Sequence, residues 1–260
     1  MVRNLKYILP NLRSFYYLLC NSLRKLEPDT TAGIIFSKDR PIQLDALLRS
    51  VVFIKENNFR TDLILLLKKI KSEFVFFLVD DMVFLKSFSL SDILQQMDSK
   101  TIFSMRLGNR IDWCETGQIK MHPDVINSGS YLNWKWSDNN YDWGYRFSVD
   151  GNVFKTNEIL SLTMALIFKA PNSYEGLMNG FMLFKFKKIG VSFTEPIVVN
   201  LVLNKTQTES DYDNLFGEMS VDDLLGFWNQ GCQFDIKKIS RYNFNSVHKI
   251  LNDVPLINRN

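Results

Sequence analysis

Residues 74–79 read Phe-Val-Phe-Phe-Leu-Val, and the run stops on Asp80-Asp81. An unbroken apolar run this short suits a strand covered on both faces better than a helix. Sheets of that kind carry helices on both sides, so the run points to an α/β fold. Two adjacent carboxylates at a strand end are costly to bury unless a cation or hydrogen-bond donors meet them. A hard divalent cation on a diphosphate would do so. A solvated tight turn or a helix cap would account for the same pair.

The flanking segments extend this pattern. Residues 33–36 form a second short apolar run, followed by the turn Ser37-Lys38-Asp39-Arg40-Pro41. Pro41 suits a first helical turn, and residues 42–54 have helical spacing. Residues 61–71 read as another helix. Polar residues thus follow both apolar strands, at the edge where open α/β sheets bind ligands. Further on, residues 101–107 predict a strand, 108–150 long functional loops, and 157–169 and 172–188 helices. Strands are expected at 191–193 and 196–199, and a polar, mobile stretch at 204–217. Ser220 is placed to cap a helix over 220–230. Residues 1–30 form an N-terminal helical extension, closed by a break at Pro28-Asp29, and residues 31–260 form a single domain.

Charge and composition narrow the function. The chain has 260 residues, 31 basic and 28 acidic, for a net charge of +3. That balance argues against a nucleic-acid partner. Three dispersed cysteines, without a CxxC pair, suggest neither a disulfide framework nor a zinc site, and fit a cytoplasmic setting. No apolar run reaches the roughly 18 residues a membrane span needs. Residues 5–26 mix Leu, Tyr and Phe with Arg and Lys, so this segment either docks on the domain or touches a membrane surface peripherally.

The segments 35–44 and 77–81 resemble the first strand–turn and the acidic motif of GT-A glycosyltransferases, in particular bacterial family 2-like enzymes. Later segments are similar too: Asp142-Trp143-Gly144-Tyr145, Val149-Asp150-Gly151, residues 171–175 and residues 195–200. The resemblance implies a GT-A-type, Rossmann-like mixed sheet flanked by helices. It implies a nucleotide-diphosphate sugar donor, a UDP-sugar foremost, a glycan acceptor and a manganese or magnesium ion. Ser37, Lys38, Asp39, Arg40, Asp80 and Asp81 would then hold the donor. Asp80 and Asp81 would hold the metal. Lys38 and Arg40 would meet the diphosphate, and Lys205 is placed to close over it.

Two departures from that family stand out. Met82 occupies the place of the second acid of an Asp-X-Asp motif, and a thioether is a poor ligand for a hard cation. Either Asp81 takes the metal, or binding needs none, or activity is lost. The interval from Ser37 to Asp80 is also short, leaving no room for a further strand and helix on the nucleobase side.

Residues 134–150 suit an acceptor site. Trp136, Trp143 and Tyr145, with Trp134 nearby, offer rings for stacking, although tryptophans packed as the domain floor would produce the same pattern. An inverting transferase needs a carboxylate base. Asp150 leads because Gly151 permits close backbone approach. Asp142 and Glu175 follow. His122 and His248 have no second His at ligand spacing and are read as isolated, with His122 the one that could complete a metal site. Besides a transferase, two further readings stay open. One is a non-catalytic sugar-nucleotide-binding or carbohydrate-binding relic. The other is a nucleotidyltransferase, which would normally carry a glycine-rich turn where Ser37-Lys38-Asp39-Arg40 stands.

Overall fold

A computed structural model describes residues 17, 21, 24–36, 57–181, 189–204, 217, 219–251 and 253–259. The central sheet has seven strands, in the order β1 (Glu27–Phe36), β2 (Ser72–Val79), β9 (Asn152–Lys155), β4 (Thr101–Ser104), β10 (Ile189–Phe193), β8 (Tyr131–Lys135), β7 (Ile126–Ser128). It is mixed. β1 runs parallel to β2, β4 runs parallel to β10, and β9 lies antiparallel between β2 and β4. This mixed sheet with helices packed against it is the GT-A-type, Rossmann-like architecture expected from the sequence.

The apolar run of β2 is covered on both faces, as its composition requires. Val75 and Phe77 enter the core built with the helices α1 (Phe59–Lys69), α4 (Thr156–Ala165) and α5 (Pro171–Asn179). Phe74 and Leu78 point the other way, into a second core with Ile93, Phe103, Val153 and Val191. Period-two alternation sends neighbouring side chains to opposite faces, so an all-apolar strand serves two cores at once. α1 begins two residues before its expected start. Asn58 caps it, accepting a hydrogen bond from the Thr61 N–H at 3.0 Å.

β1 starts at Glu27 and runs through the break expected at Pro28-Asp29. Asp29 has φ 53°, and the register with β2 shifts between Glu27 and Thr31. The polar residues there therefore form an irregularity within a strand, not its boundary. In the interval before Asp80 the described residues form α1 and β2, and residues 37–56, which include the helix expected over 42–54, lie outside the described residues. α5 ends at Asn179, well short of the helix expected over 172–188. The loop region 108–150 contains the short strands β5 (Trp113–Cys114) and β6 (Ile119–Lys120) as well as β7 and β8. The helix α6 (Val221–Asn229) is capped by Ser220 as expected, through the Asp223 N–H at 3.0 Å.

A second sheet of three strands sits at one edge of the first. Its order is β13 (His248–Ile250), β11 (Val198–Val202), β3 (Met82–Phe84). It packs on a core of its own with Leu224, Phe234, Ile239 and Phe244. Of the N-terminal segment, the described residues dock on the domain. Asn21 donates to the Ser161 hydroxyl at 3.0 Å, Ser161 donates to the Tyr17 carbonyl at 3.1 Å, and Arg24 donates to the Leu67 carbonyl at 3.0 Å. No helix among the described residues is long and apolar enough to cross a membrane.

Candidate active site

Strand direction collects the polar residues. β1, β2 and β4 point the same way, and Phe36 pairs with Val79, so the chain leaves β1 and β2 side by side. Asp80 and Asp81 follow β2, and Arg106 follows β4. β9 runs in the opposite sense, so Asp150, just before it, reaches the same edge. Two backbone hydrogen bonds lock this edge. Gly151 N–H donates to the Phe77 carbonyl at 2.8 Å, and Met105 N–H donates to the Gly151 carbonyl at 3.0 Å. Gly151 has φ 83°, a left-handed conformation that disfavours side chains. A Cβ there would also stand 3.1 Å from the Met82 methyl. The glycine thus makes room for Met82 rather than for a ligand, which corrects the sequence-based reason for choosing Asp150.

The small sheet closes the edge from the other side. Met82, Asn200 and His248 are register partners across β3, β11 and β13. Asn200 Nδ2 donates to Asp81 Oδ1 at 2.9 Å. His248 Nε2 lies 3.3 Å from Asp150 Oδ2, and the two side chains remain 25% and 12% exposed. His248, which looks isolated in the sequence, therefore pairs with the leading base candidate. A residue near the C-terminus of the described chain meets one almost a hundred positions earlier, and no local spacing signals that.

Asp142, Asp150 and Glu175, which the sequence reading ranked as alternative base candidates, lie close enough here to interact electrostatically through Arg106 and His248. Asp142 lies on the short helix α3 (Tyr141–Gly144), and its Oδ1 is 3.7 Å from the Arg106 guanidinium. Glu175 projects from α5. Its Oε1 accepts the Val149 N–H at 2.6 Å, and its Oε2 lies 3.5 Å from the Tyr145 hydroxyl. Arg106 was missed by the sequence reading. It is only 2% exposed and lies 5.9 Å from the Tyr145 ring centre.

Environment separates the carboxyls. Burial works to raise Asp150, but the hydrogen bond and charge of His248, with Arg106 and Asn200, outweigh it and hold the carboxyl below its usual range. Burial works to lower His248, and Asp150 overrides it, so the imidazole sits above its ordinary value. Burial first, and the charge of Asp150 second, push Glu175 up to about 7. Burial, then the charge of Glu175, raises the Tyr145 phenol. Carboxyls driven apart in this way can divide proton-accepting and proton-holding roles.

The expected acceptor platforms lie elsewhere. Trp136 and Trp143 are each 1% exposed and belong to the main core. They flank Trp134 edge-to-face, with ring centres 4.9 Å away in both cases. Trp143 Nε1 donates to the Ile111 carbonyl at 2.9 Å, and Trp134 Nε1 to the Trp143 carbonyl at 3.0 Å. Their rings are covered, so neither Trp136 nor Trp143 presents a face to a sugar. Tyr145 alone of that set borders the carboxyl cluster.

On the donor side, Asp80 is 4% exposed and Asp81 half-buried. Met82 is fully buried, and its Sδ accepts the Val79 N–H at 3.4 Å. Met82 is thus a core residue facing away from any ligand position. Among the described residues, no three His, Cys, Asp or Glu side chains converge as a metal site, and His122 has no such partners. Ser37, Lys38, Asp39, Arg40 and Lys205 lie outside the described residues.

Over 144 residues the chain is 31% identical to the bifunctional glycosyltransferase pgtA of Dictyostelium discoideum. The match covers 50% of this chain and 18% of that protein, so the chain corresponds to a minor part of its relative. No family model matches the chain, and no solved structure matches it.

Proposed function

We propose that the chain is a glycosyltransferase that moves a sugar from a nucleotide-diphosphate donor, a UDP-sugar foremost, to a hydroxyl of a glycan acceptor. The observation that carries this reading is the Asp150–His248 pair, partly exposed at the strand ends and one asparagine away from Asp81. A transferase needs positive charge beside the departing diphosphate and a base beside the incoming hydroxyl. On this reading Asp81 has the task of holding a cation for the diphosphate and Asp150 that of the base. The similarity to pgtA supports the same class of activity.

In this reading Asp150 accepts the proton of the acceptor hydroxyl as that oxygen attacks the anomeric carbon. His248 fixes the carboxylate and keeps it anionic. Glu175 and Tyr145 line the acceptor side, and Glu175 is poised to hold a proton near neutral pH. Asp142 balances the charge of Arg106 from 3.7 Å away. Ser37, Lys38, Asp39 and Arg40, which lie outside the described residues, are assigned to the donor diphosphate because β1 ends at Phe36, the register partner of Val79.

A manganese or magnesium ion fits this site only in company. Asn200 donates to one oxygen of Asp81, so the carboxylate could supply only part of the ion's shell, with phosphate oxygens and water completing it, a common arrangement for magnesium. Bound there, it would neutralise charge on the departing diphosphate. Asp81 is the ligand this reading assigns, with Asp80 buried behind it and Met82 excluded by its burial.

The test is turnover of a panel of nucleotide sugars, with and without manganese, alongside calorimetric binding of the same donors. Release of nucleoside diphosphate, stimulated by an acceptor glycan, is the expected result. Tight donor binding with no hydrolysis or transfer across the panel would instead identify a binding relic.

A further inference from the structure

Arg106 carries the next inference. Its guanidinium lies 3.7 Å from Asp142 and 5.9 Å from the Tyr145 ring centre, yet it is poorly bonded. Its one ion pair among the described residues is the 3.7 Å approach to Asp142, beyond hydrogen-bond length. Its Nε and Nη2 groups are buried without a hydrogen-bond partner among the described residues, and so is Asp142 Oδ2. Buried arginines kept for stability normally satisfy their donors, because each orphaned polar group carries an uncompensated desolvation cost. A guanidinium that forgoes two donors acts on its neighbours mainly through charge.

Those neighbours come from every element at the strand edge. Asp142 and Tyr145 approach from α3 and its exit, Glu175 from α5, Asp150 from the start of β9 and His248 from β13. Asp81 lies beyond Asn200 of β11. The Met105–Gly151 backbone hydrogen bond holds the segments bearing Arg106 and Asp150 together. Against the carboxylates Asp142, Asp150 and Glu175, Arg106 is the cation whose charge does not depend on pH. We propose that Arg106 is a positioning residue for the base: its permanent buried charge lets the three carboxyl groups share one pocket and keeps Asp150 able to accept a proton. The electrostatics agree, since Arg106 favours the anionic forms of Asp150 and Glu175 and opposes a proton on His248.

This role rests on the reading of Asp150 as base, but it can be measured without turnover. The chain has two histidines, so NMR titration of the imidazoles resolves His248, with His122 as an internal reference. Deleting the charge in Arg106→Met, which keeps apolar bulk in the pocket, should raise the His248 midpoint by about one pH unit. Arg106→Gln provides a second charge-deleting variant should the first fold poorly. Arg106→Lys should leave the midpoint within a few tenths of a unit. The acid limb of the turnover profile should move upward in the charge-deleting variants as Asp150 becomes easier to protonate. An unmoved His248 midpoint in a folded charge-deleting variant overturns the proposal. So does an equal shift in Arg106→Lys, which would mark a packing effect. A His248 shift as expected, in a chain that transfers no sugar, supports the charge role and counts against the transferase reading instead.

Discussion

Trp143 and Asp142 are adjacent in the chain yet belong to two different regions. Trp143 closes a cluster of three indoles whose faces are covered, and its own N–H donates to a backbone carbonyl. Asp142 turns toward Arg106 and the carboxyl pocket. The tryptophan cluster is built on apolar bulk, with rings packed edge-to-face and a single polar atom, Trp136 Nε1, buried without a partner among the described residues. The pocket differs in burying charge, with Arg106 Nε and Nη2 and Asp142 Oδ2 unpartnered among the described residues. Buried charge without full satisfaction is costly, and proteins retain such arrangements where chemistry needs them. The contrast fits a structural role for the indoles and the proposed functional role of the carboxyls.

That division can be broken by substitution on either side. The largest effect is expected in the pocket. Asp150→Asn should lower sugar transfer by about 10³-fold, roughly 4 kcal/mol of barrier, while melting temperature and donor binding stay near wild type. Retained transfer would remove Asp150 as the base. On the core side, Trp143→Ala should cost about 3–5 kcal/mol in urea unfolding. A folded Trp143→Ala of unchanged stability that lost only acceptor binding would return that ring to the site.

Met82→Asp tests the border between the regions. Read as a restored acidic motif, it should strengthen manganese binding. Read from the structure, it puts a carboxylate among Phe103, Met105 and Val198 in the second core. The expected outcome is a loss of about 2–3 kcal/mol of stability with no gain in manganese affinity. A stable variant with tighter manganese binding would contradict the burial of that side chain.

The smallest effect concerns Glu175 and pH. Its carboxyl lies near 7 in the fold, above its ordinary value of 4.5, so the folded state holds this proton more firmly than the unfolded chain. The group's contribution to stability is complete below about 4.5 and declines as pH rises through about 7. Glu175→Gln should flatten that decline. Relative to wild type it should gain stability between those limits, by on the order of 1 kcal/mol given the partial exposure of the side chain. Melting curves at pH 4.5, 6 and 8 would show it, and parallel pH dependence in both proteins would refute it.

How much of this was readable in advance differs by element. The buried strand β2 was plain, because six consecutive apolar residues ending in two aspartates are too few for a helix and too apolar for a loop. So were α1, α4 and the Ser220 cap of α6, whose signals lie within a few residues. β1 was shortened on paper because Pro28 and Asp29 look like a boundary, whereas a parallel neighbour kept the strand going through an irregularity. The three carboxyls were ranked in sequence as alternatives for one base, and the reason given for Asp150 was incomplete. Gly151 serves Met82, and what holds Asp150 is His248.

The amino-acid order by itself determined the layered α/β class, the aspartates at a strand end and the absence of an acid at position 82. Those features depend on local periodicity and on residue type, which a linear reading retains. Only the tertiary structure decided that the tryptophans are core, that Met82 points inward, and that Arg106 and His248 join Asp150. Burial and long-range pairing are properties of how strands are ordered in a sheet. β9 inserted between β2 and β4, and β13 laid beside β11, bring distant residues within a few ångströms.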